Sequence, residues 1–353
     1  MPHKNMRHSD AISRRNLLKN SAALGAITIA GCLGDDDDGE TLSVGTAGSG
    51  TPTEAAGQAL ARAMDEHSDV SMTVQNTDGW TSNMYEYDGG SFYTYGVDNN
   101  SLSKARDGEG PFEEEPVDSM PYQGFQYTTL DMYFVATEES GIESTDDLLE
   151  GGYDVFPLEP GAGTRLSTEE ILQEVGIWEA NEMLAIDFAD IAGAVEEGRV
   201  DAMVIYGVNG VALTGWAEEI DVRSDGILQL VETGEDIQAA IEEHPGLSLE
   251  EVEPYGWEQD VTAYTDTTHA WALIGQWVFG DEVSEHAAYE FARVSSEHWE
   301  TIEESDATAL DHSDPETMTA GVLEGIPIHP GVAEFWEEEG VWDDSWERGE
   351  AGE

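Results

Sequence analysis

Two short patterns occur twice in this chain, in the same order and at nearly the same spacing, and they constrain its fold more than any other feature. Gly48-Ser49-Gly50-Thr51 returns as Gly161-Ala162-Gly163-Thr164 after 113 residues, and Tyr95-Gly96-Val97-Asp98 returns as Tyr206-Gly207-Val208-Asn209 after 111. Each glycine loop follows a short strand-like run, Thr41 to Gly45 and Tyr153 to Phe156, and leads into a helical pattern. The Tyr-Gly-Val segments close strand-like runs that start at Phe92 and at Ala202. With Val70 to Val74 as a further strand, the alternation of strands and helices predicts βαβ units with mostly parallel sheets. Two repeats in one order predict two similarly built α/β lobes. Ligands of such sheets bind at the carboxyl ends of the strands. All four repeated segments fall at such ends, so a cleft is expected between the lobes.

The helix after the first loop is marked at its start. Thr51 is placed to cap it, Pro52 suits the first helical position and Glu54 stands where a capping-box partner belongs. Ala55, Ala59, Leu60, Ala63 and Met64 then share one face. The second loop leads into a helix expected over Ser167 to Val175. A glycine-rich turn that enters a helix N-terminus aims backbone N–H groups and the positive end of the dipole at whatever occupies the turn.

The chain's 353 residues exceed what one hydrophobic core usually holds, in keeping with two lobes. Apolar residues at 39% and aromatics at 9% mark a globular chain despite its charge. That charge is −63, from 76 acidic and 13 basic residues. Such self-repulsion opposes a compact fold in dilute buffer. Molar salt shortens the Debye length to about 3 Å and makes it tolerable, so a halophilic setting is expected. Nucleic acid is excluded as a partner, because a phosphate backbone requires a basic stripe and the body of the chain has none.

Residues 1–31 read as an export signal. Ser13-Arg14-Arg15-Asn16-Leu17-Leu18 is a twin-arginine pattern, and the apolar run Ala22 to Ala30 is too short for an ordinary transmembrane helix. Ile29-Ala30-Gly31-Cys32 resembles a lipobox, which makes Cys32, the single cysteine, the lipidated first residue of the exported chain. The alternative for Cys32 is a buried or reactive thiol. Residues 32–40 then form an acidic flexible tether. Its four consecutive aspartates lack the spaced ligands and bend glycine of a calcium loop. Once residues 1–31 are removed, 8 cations face 75 acids and Lys104 is the sole lysine. Each remaining cation therefore carries more information, Arg165 beside the second glycine loop above all.

Further landmarks run through the body of the chain. They are Asp78-Gly79-Trp80-Thr81-Ser82-Asn83, the segment Lys104 to Phe112, Ser140-Gly141-Ile142-Glu143-Ser144-Thr145-Asp146-Asp147-Leu148, Gly198-Arg199-Val200-Asp201-Ala202 and Ile326-Pro327-Ile328-His329-Pro330-Gly331. In this order, with the loop Pro160 to Thr164, they resemble the TAXI group of TRAP-transporter solute receptors across nearly the whole exported chain. The first loop departs from that group's usual Gly-Gly-Thr turn, and Trp80 with the bulky run Tyr85 to Tyr95 alters the same lobe. The resemblance implies a periplasmic-binding-protein-like (type II) clamshell with the ligand cleft between its lobes. Residues 41–126 form the first part of lobe 1, residues 127–267 lobe 2, and residues 268–353 return to lobe 1 and end in C-terminal helices. It also implies capture of a small organic anion, such as glutamate, 2-oxoglutarate or a related carboxylate, for TRAP membrane subunits. The setting is the outer face of the cell membrane, with no enzymatic step and no cofactor.

Arg165 is the expected counter-charge for a ligand carboxylate, since a guanidinium offers a bidentate fork; a surface ion pair with Glu169 is the alternative. Ser49, Gly50, Thr51, Gly161, Gly163 and Thr164 are expected to donate backbone or hydroxyl hydrogen bonds, unless turn and capping roles absorb them. Asn99 and Asn209 can read donors and acceptors on a polar ligand, although turn formation explains them equally. Tyr206, Trp80 and Asn83 complete the candidate site, Tyr206 as an amphipathic wall. His329 stands alone without ligand spacing and reads as structural. The loops lack the Gly-Lys-Ser/Thr ending of a nucleotide P-loop, and no Gly-x-Ser-x-Gly elbow supports a hydrolase. A surface sensor or an ABC-type importer receptor uses the same binding module and differs only in its partner.

Overall fold

The first glycine loop and its neighbours sit on a run of β1 (Thr41–Gly45), α1 (Pro52–His67), β2 (Ser71–Gln75), α2 (Trp80–Asp88), β3 (Thr94–Asp98), α3 (Asn99–Asp107) and the short α4 (Pro111–Glu114). The structure is a computed structural model that describes residues 40–350 apart from Ser49, Gly161, Asp225 and Pro245. The expected export signal, Cys32 and the aspartate run lie outside the described residues. The chain continues through the long β4 (Tyr122–Thr137), α5 (Thr145–Leu148), β5 (Asp154–Phe156), α6 (Gly163–Glu174), α7 (Ile177–Ala180), β6 (Glu182–Met183), α8 (Phe188–Glu196) and β7 (Ala202–Val208). It then passes β8 (Ala212–Leu213), α9 (Gly215–Arg223), β9 (Leu228–Leu230), α10 (Glu235–Glu243), β10 (Ser248–Val252) and the long β11 (Thr268–Phe279). It ends with α11 (Glu285–Glu297), α12 (Trp299–Glu303) and α13 (Pro330–Glu339).

The main path of the sheet is β2-β1-β3-β11-β4-β7-β5-β6. Read from either end it gives the same arrangement: β6-β5-β7-β4 repeats β2-β1-β3-β11. In each half the glycine loop follows the second strand and the Tyr-Gly-Val segment lies in the third. The sequence echo is thus a repeat of topology. The outer strands are parallel in both halves, β1 with β2 and β3, β5 with β6 and β7. The centre is antiparallel, because β11 runs against β3 and β4, and β4 runs against β7. The expected mostly parallel sheet is therefore corrected to a mixed one. The strands that overturn it, β4 and β11, are buried along nearly all of their length, and a strand buried on both faces shows no alternating pattern to betray it.

Two large cores and a smaller one lie on this sheet, the smaller formed by Met84, Phe92, Tyr95, Val97 and Val278 in the first half. Leu42, Val44, Leu60 and Met64 pack with Phe291, Phe335 and Trp336 around the first half, and Phe156, Leu172, Ile191, Val204 and Trp271 anchor the second. Each fully buried side chain of this size contributes roughly 1.5–3 kcal/mol. β4 serves both cores, with Phe125 and Tyr127 in the first and Met132, Phe134 and Val135 in the second; β11 does the same with Trp277 and Phe279, then Trp271 and Leu273. The lobes therefore meet inside these two strands. The expected junction at 126/127 falls within β4, and residues 268–273, assigned to the return to lobe 1, pack in the second core as the start of β11. Register shifts interrupt the β4–β11 pairing on either side of Gln276, where bulges bend a strand.

The echoed glycines Gly96 and Gly207 have a shared cause. A side chain on Gly96 would meet the Tyr127 hydroxyl at 2.7 Å and Thr53 at 2.8 Å, and one on Gly207 would overlap the Tyr255 ring. His329 is buried at the start of α13, where Nδ1 accepts the Gly331 N–H at 3.2 Å and Nε2 donates to the Val283 carbonyl at 3.1 Å. Burial pulls its pKa down to about 4, so the ring is neutral and structural.

Candidate ligand cleft

Both glycine loops open onto one cavity of about 360 Å³ between the lobes. The first loop is folded back on its helix: the Thr51 hydroxyl donates to the Gly48 carbonyl at 2.8 Å and accepts the Glu54 N–H at 3.3 Å, while the Gly50 N–H donates to Glu54 Oε2 at 2.6 Å. Glu54 thus reaches Gly50 as well as filling the third helical position. The second helix starts at Gly163, four residues before the expected Ser167, with Ala162 as an N-cap that makes no side-chain hydrogen bond. Ser167 and Thr168 both donate their hydroxyls back to the Thr164 carbonyl, so neither side chain is left unpaired inside the helix. Thr51, Pro52 and Thr53 from α1 face Ala162, Gly163 and Thr164 from α6 across the cavity. Two helix N-termini therefore converge on it, each a favourable site for negative charge.

Its apolar walls are Trp80, Phe188, Tyr206 and Leu130. The Trp80 indole N–H is shared between Thr53 Oγ1 and the Tyr127 hydroxyl, both at 2.9 Å, and Tyr127 in turn donates to Thr53 at 2.9 Å. This buried triad fixes the indole plane. Phe188 stacks on Trp216 at 4.5 Å and meets the Tyr206 ring edge-on. Burial, reinforced by the charge of Glu159, pushes the Tyr206 hydroxyl up to about 12, so it remains a donor.

The polar lining is acidic. Asp78 and Glu159 belong to it, and Glu159 Oε2 accepts the Phe188 N–H at 2.6 Å. The Thr164 hydroxyl is buried without a hydrogen-bond partner. Behind the wall stands Asp98, the N-cap of α3, whose Oδ1 accepts the Ser101 N–H at 2.8 Å and whose Oδ2 is buried and unpartnered. Burial pushes its pKa up, against the opposing Ser101 hydrogen bonds. A Cβ built on Gly163 would stand 4.0 Å from Asp98 Oδ2 and 4.0 Å from the Trp80 ring.

Of the residues expected here, Thr51, Trp80, Gly163, Thr164 and Tyr206 line the cavity. Ser49 and Gly161 lie outside the described residues. Gly50 is exposed, its N–H taken by Glu54. Arg165 points away: its Nη1 donates to the Leu158 carbonyl at 2.7 Å and to that of Leu184 at 3.3 Å, and its guanidinium lies 5.3 Å from the Trp178 ring centroid. Glu169, the alternative partner, is 3.9 Å away. Asn83 is a buried clamp whose Nδ2 holds the Thr46 and Gly96 carbonyls. Asn99 bonds Gly321 and Gln276, and Asn209 bonds the Thr129 N–H and the Thr308 carbonyl. The amides of Asn99 and Asn209 are engaged at both oxygen and nitrogen within the fold, Asn83 Oδ1 is buried without a partner, and none of the three lines the cavity. Glu159, which does line it, stands next to the loop Pro160 to Thr164, and Asp78 opens a segment that the sequence singled out without being marked as a site residue; Phe188 and Leu130 are brought in by tertiary packing alone, and no local pattern marks them.

A second contact joins the lobes at the surface. Lys104 on α3 reaches Glu170 on α6, Nζ to Oε1 at 2.5 Å, and His244 holds the other oxygen at 3.1 Å. Burial raises the pKa of Glu170, but His244 and Lys104 together hold it below the usual carboxylate range.

The profile of the NMT1-like family matches residues 44–340. The chain belongs to the NMT1-like family. Solved structures similar to this NMT1-like chain include the alkanesulfonate-binding protein SsuA from Xanthomonas axonopodis pv. citri bound to MOPS, at 12% identity and a TM-score of 0.41 over 88% of this chain and 96% of that one. A binding protein component of an ABC phosphonate transporter from Pseudomonas aeruginosa is similar at 9% identity and a TM-score of 0.44, over 77% of this chain and 79% of its own. A TctC solute binding protein from Polaromonas is similar at 11% identity and a TM-score of 0.44, over 75% and 87%. At such distances the ligands named for those proteins remain their own.

Proposed function

We propose that the chain is an extracytoplasmic solute-binding protein that captures a small carboxylate-bearing molecule between its lobes and presents it to the membrane subunits of a TRAP-type transporter. The observation that carries this reading is the convergence of two helix N-termini, one from each lobe, on one aromatic-walled cavity. About 360 Å³ lies at the small end of the range for ligand pockets, roughly 300–1,000 Å³, and suits a molecule of metabolite size. A carboxylate held at the positive end of the α1 dipole gains that of α6 only when the lobes are closed. Binding therefore favours closure, and the closed form is what a permease would recognise. The export signal and Cys32 fit this role, with a lipid on Cys32 holding the receptor at the outer face of the membrane.

Thermal unfolding in multimolar KCl tests the reading, because a ligand that binds only the folded state raises Tm. Carboxylates of four to six carbons are expected to raise it while neutral sugars leave it unchanged. A sugar that raises Tm when no carboxylate does would replace the proposed ligand class.

A further inference from the structure

Tyr127 stands behind the cavity rather than in its lining, yet it holds two residues of the wall, Thr53 and Trp80. In the pairing of β4 with β11, Gly275 opposes Thr128 and Gln276 opposes Gln126, so Tyr127 is an extra residue that the ladder leaves out. A bulge of this kind re-aims the side chain it carries. Here the ring is buried and stacked on Trp277, with centroids 4.2 Å apart, while the hydroxyl reaches the wall. It accepts the Trp80 indole N–H and donates to Thr53 Oγ1, each at 2.9 Å. Burial raises the pKa of this hydroxyl, which therefore keeps its proton and its role as donor.

The surrounding backbone is shaped to allow this reach. A side chain at Gly96 in β3 would come within 2.7 Å of the Tyr127 hydroxyl, and a Cβ on Gly275, at the bulge itself, would meet the Trp80 ring at 3.1 Å. The two hydrogen-bonded side chains also belong to different large cores: Tyr127 packs in that of the first half, and Trp80, despite its place on α2, in that of the second. Their hydrogen bond thus ties the cleft wall to a strand that joins the lobes. Thr53 lies in the first turn of α1, so the same hydroxyl also fixes a side chain at that helix end.

We infer that Tyr127 is a positioning residue for the ligand: its hydroxyl, aimed by a bulge in the strand that joins the lobes, sets the plane of the Trp80 wall and the place of Thr53 at the start of α1. This rests on the solute-receptor reading and adds to it a group set one layer behind the wall.

Tyr127→Phe keeps the ring and its stack and removes only the hydroxyl. Thr128→Val is the control at the same bulge, because the Thr128 hydroxyl is buried without a partner and its loss breaks no hydrogen bond. Both are compared with the wild type in multimolar KCl, with ligand-free Tm reporting that each is folded. One readout is hydrogen exchange at the Trp80 indole N–H, followed by NMR and identified by the resonance missing from Trp80→Phe. The other is calorimetric affinity for 2-oxoglutarate and for glutamate as probes. Tyr127→Phe is expected to lower Tm by only about 2–4 °C and to speed the indole exchange at least about fivefold. It is expected to weaken probe binding about three- to tenfold, the worth of one buried hydrogen bond. Thr128→Val is expected to change neither readout. A folded Tyr127→Phe with wild-type exchange and affinity, or a Thr128→Val that moves both as far, would overturn the inference and leave the receptor standing. If neither probe binds the wild type, the proposed ligand class falls, and the indole exchange alone upholds or overturns the placement of Trp80 by Tyr127.

Discussion

Leu158 holds a positive φ of 73° while fully buried, a conformation that costs a residue with a side chain on the order of 1–3 kcal/mol. Its carbonyl is the one Arg165 Nη1 grips, so the guanidinium braces the strained entry to the second glycine loop. Arg165→Ala is expected to lower stability by about 1–3 kcal/mol in a KCl-buffered urea melt through the unpaired Leu158 and Leu184 carbonyls, and to weaken binding only by loosening the loop. A variant that is as stable as wild type would show that the brace carries no weight. The sequence marks Arg165 as important but not which way it points, because direction depends on Leu158 and Leu184, neither of which any local pattern connects to it. Tyr95 and Tyr206 make the same point within the echo. Tyr95 is fully buried against Tyr87 and Phe92, whereas Tyr206 faces the cavity, so one pattern fixes the backbone and the neighbouring elements decide the environment. Asp98, in the echoed segment too, passes unnoticed because a carboxylate is uninformative in a sequence so rich in them.

At the scale of elements, the strand–loop–helix units could be read in advance because their signals are local: glycine for the turn, threonine and proline for the helix start. α3 and α6 meet across the cleft for reasons no local signal carries. The Lys104–Glu170 pair spans the lobes while its side chains remain only 12% and 25% exposed, so salt screens it less than an open surface pair. Lys104→Met removes this clasp and leaves Glu170 with His244. The ligand-free protein is expected to shift toward open forms, seen as a larger radius of gyration in X-ray scattering, and to bind ligand several-fold more weakly, an effect on the order of 1 kcal/mol. An unchanged radius and affinity would mean that the pair forms without holding the lobes.

For the molecule as a whole, the net charge of −63 sets the conditions under which everything above can be measured. Like charges at this density oppose the compact state until mobile ions screen them. Tm is expected to rise steeply with KCl from the millimolar to the molar range; a flat profile would show that the acidic surface is tolerated without salt. The two strands that cross between the cores have a different consequence. Residues 138–267, cut out as though they were a self-contained unit, would lose β4 and β11 together, and with β4 the whole partner edge of β7. The halves look like duplicates on paper, yet neither is a module: the chain is stitched through the middle of its sheet, and no single cut can return two intact pieces.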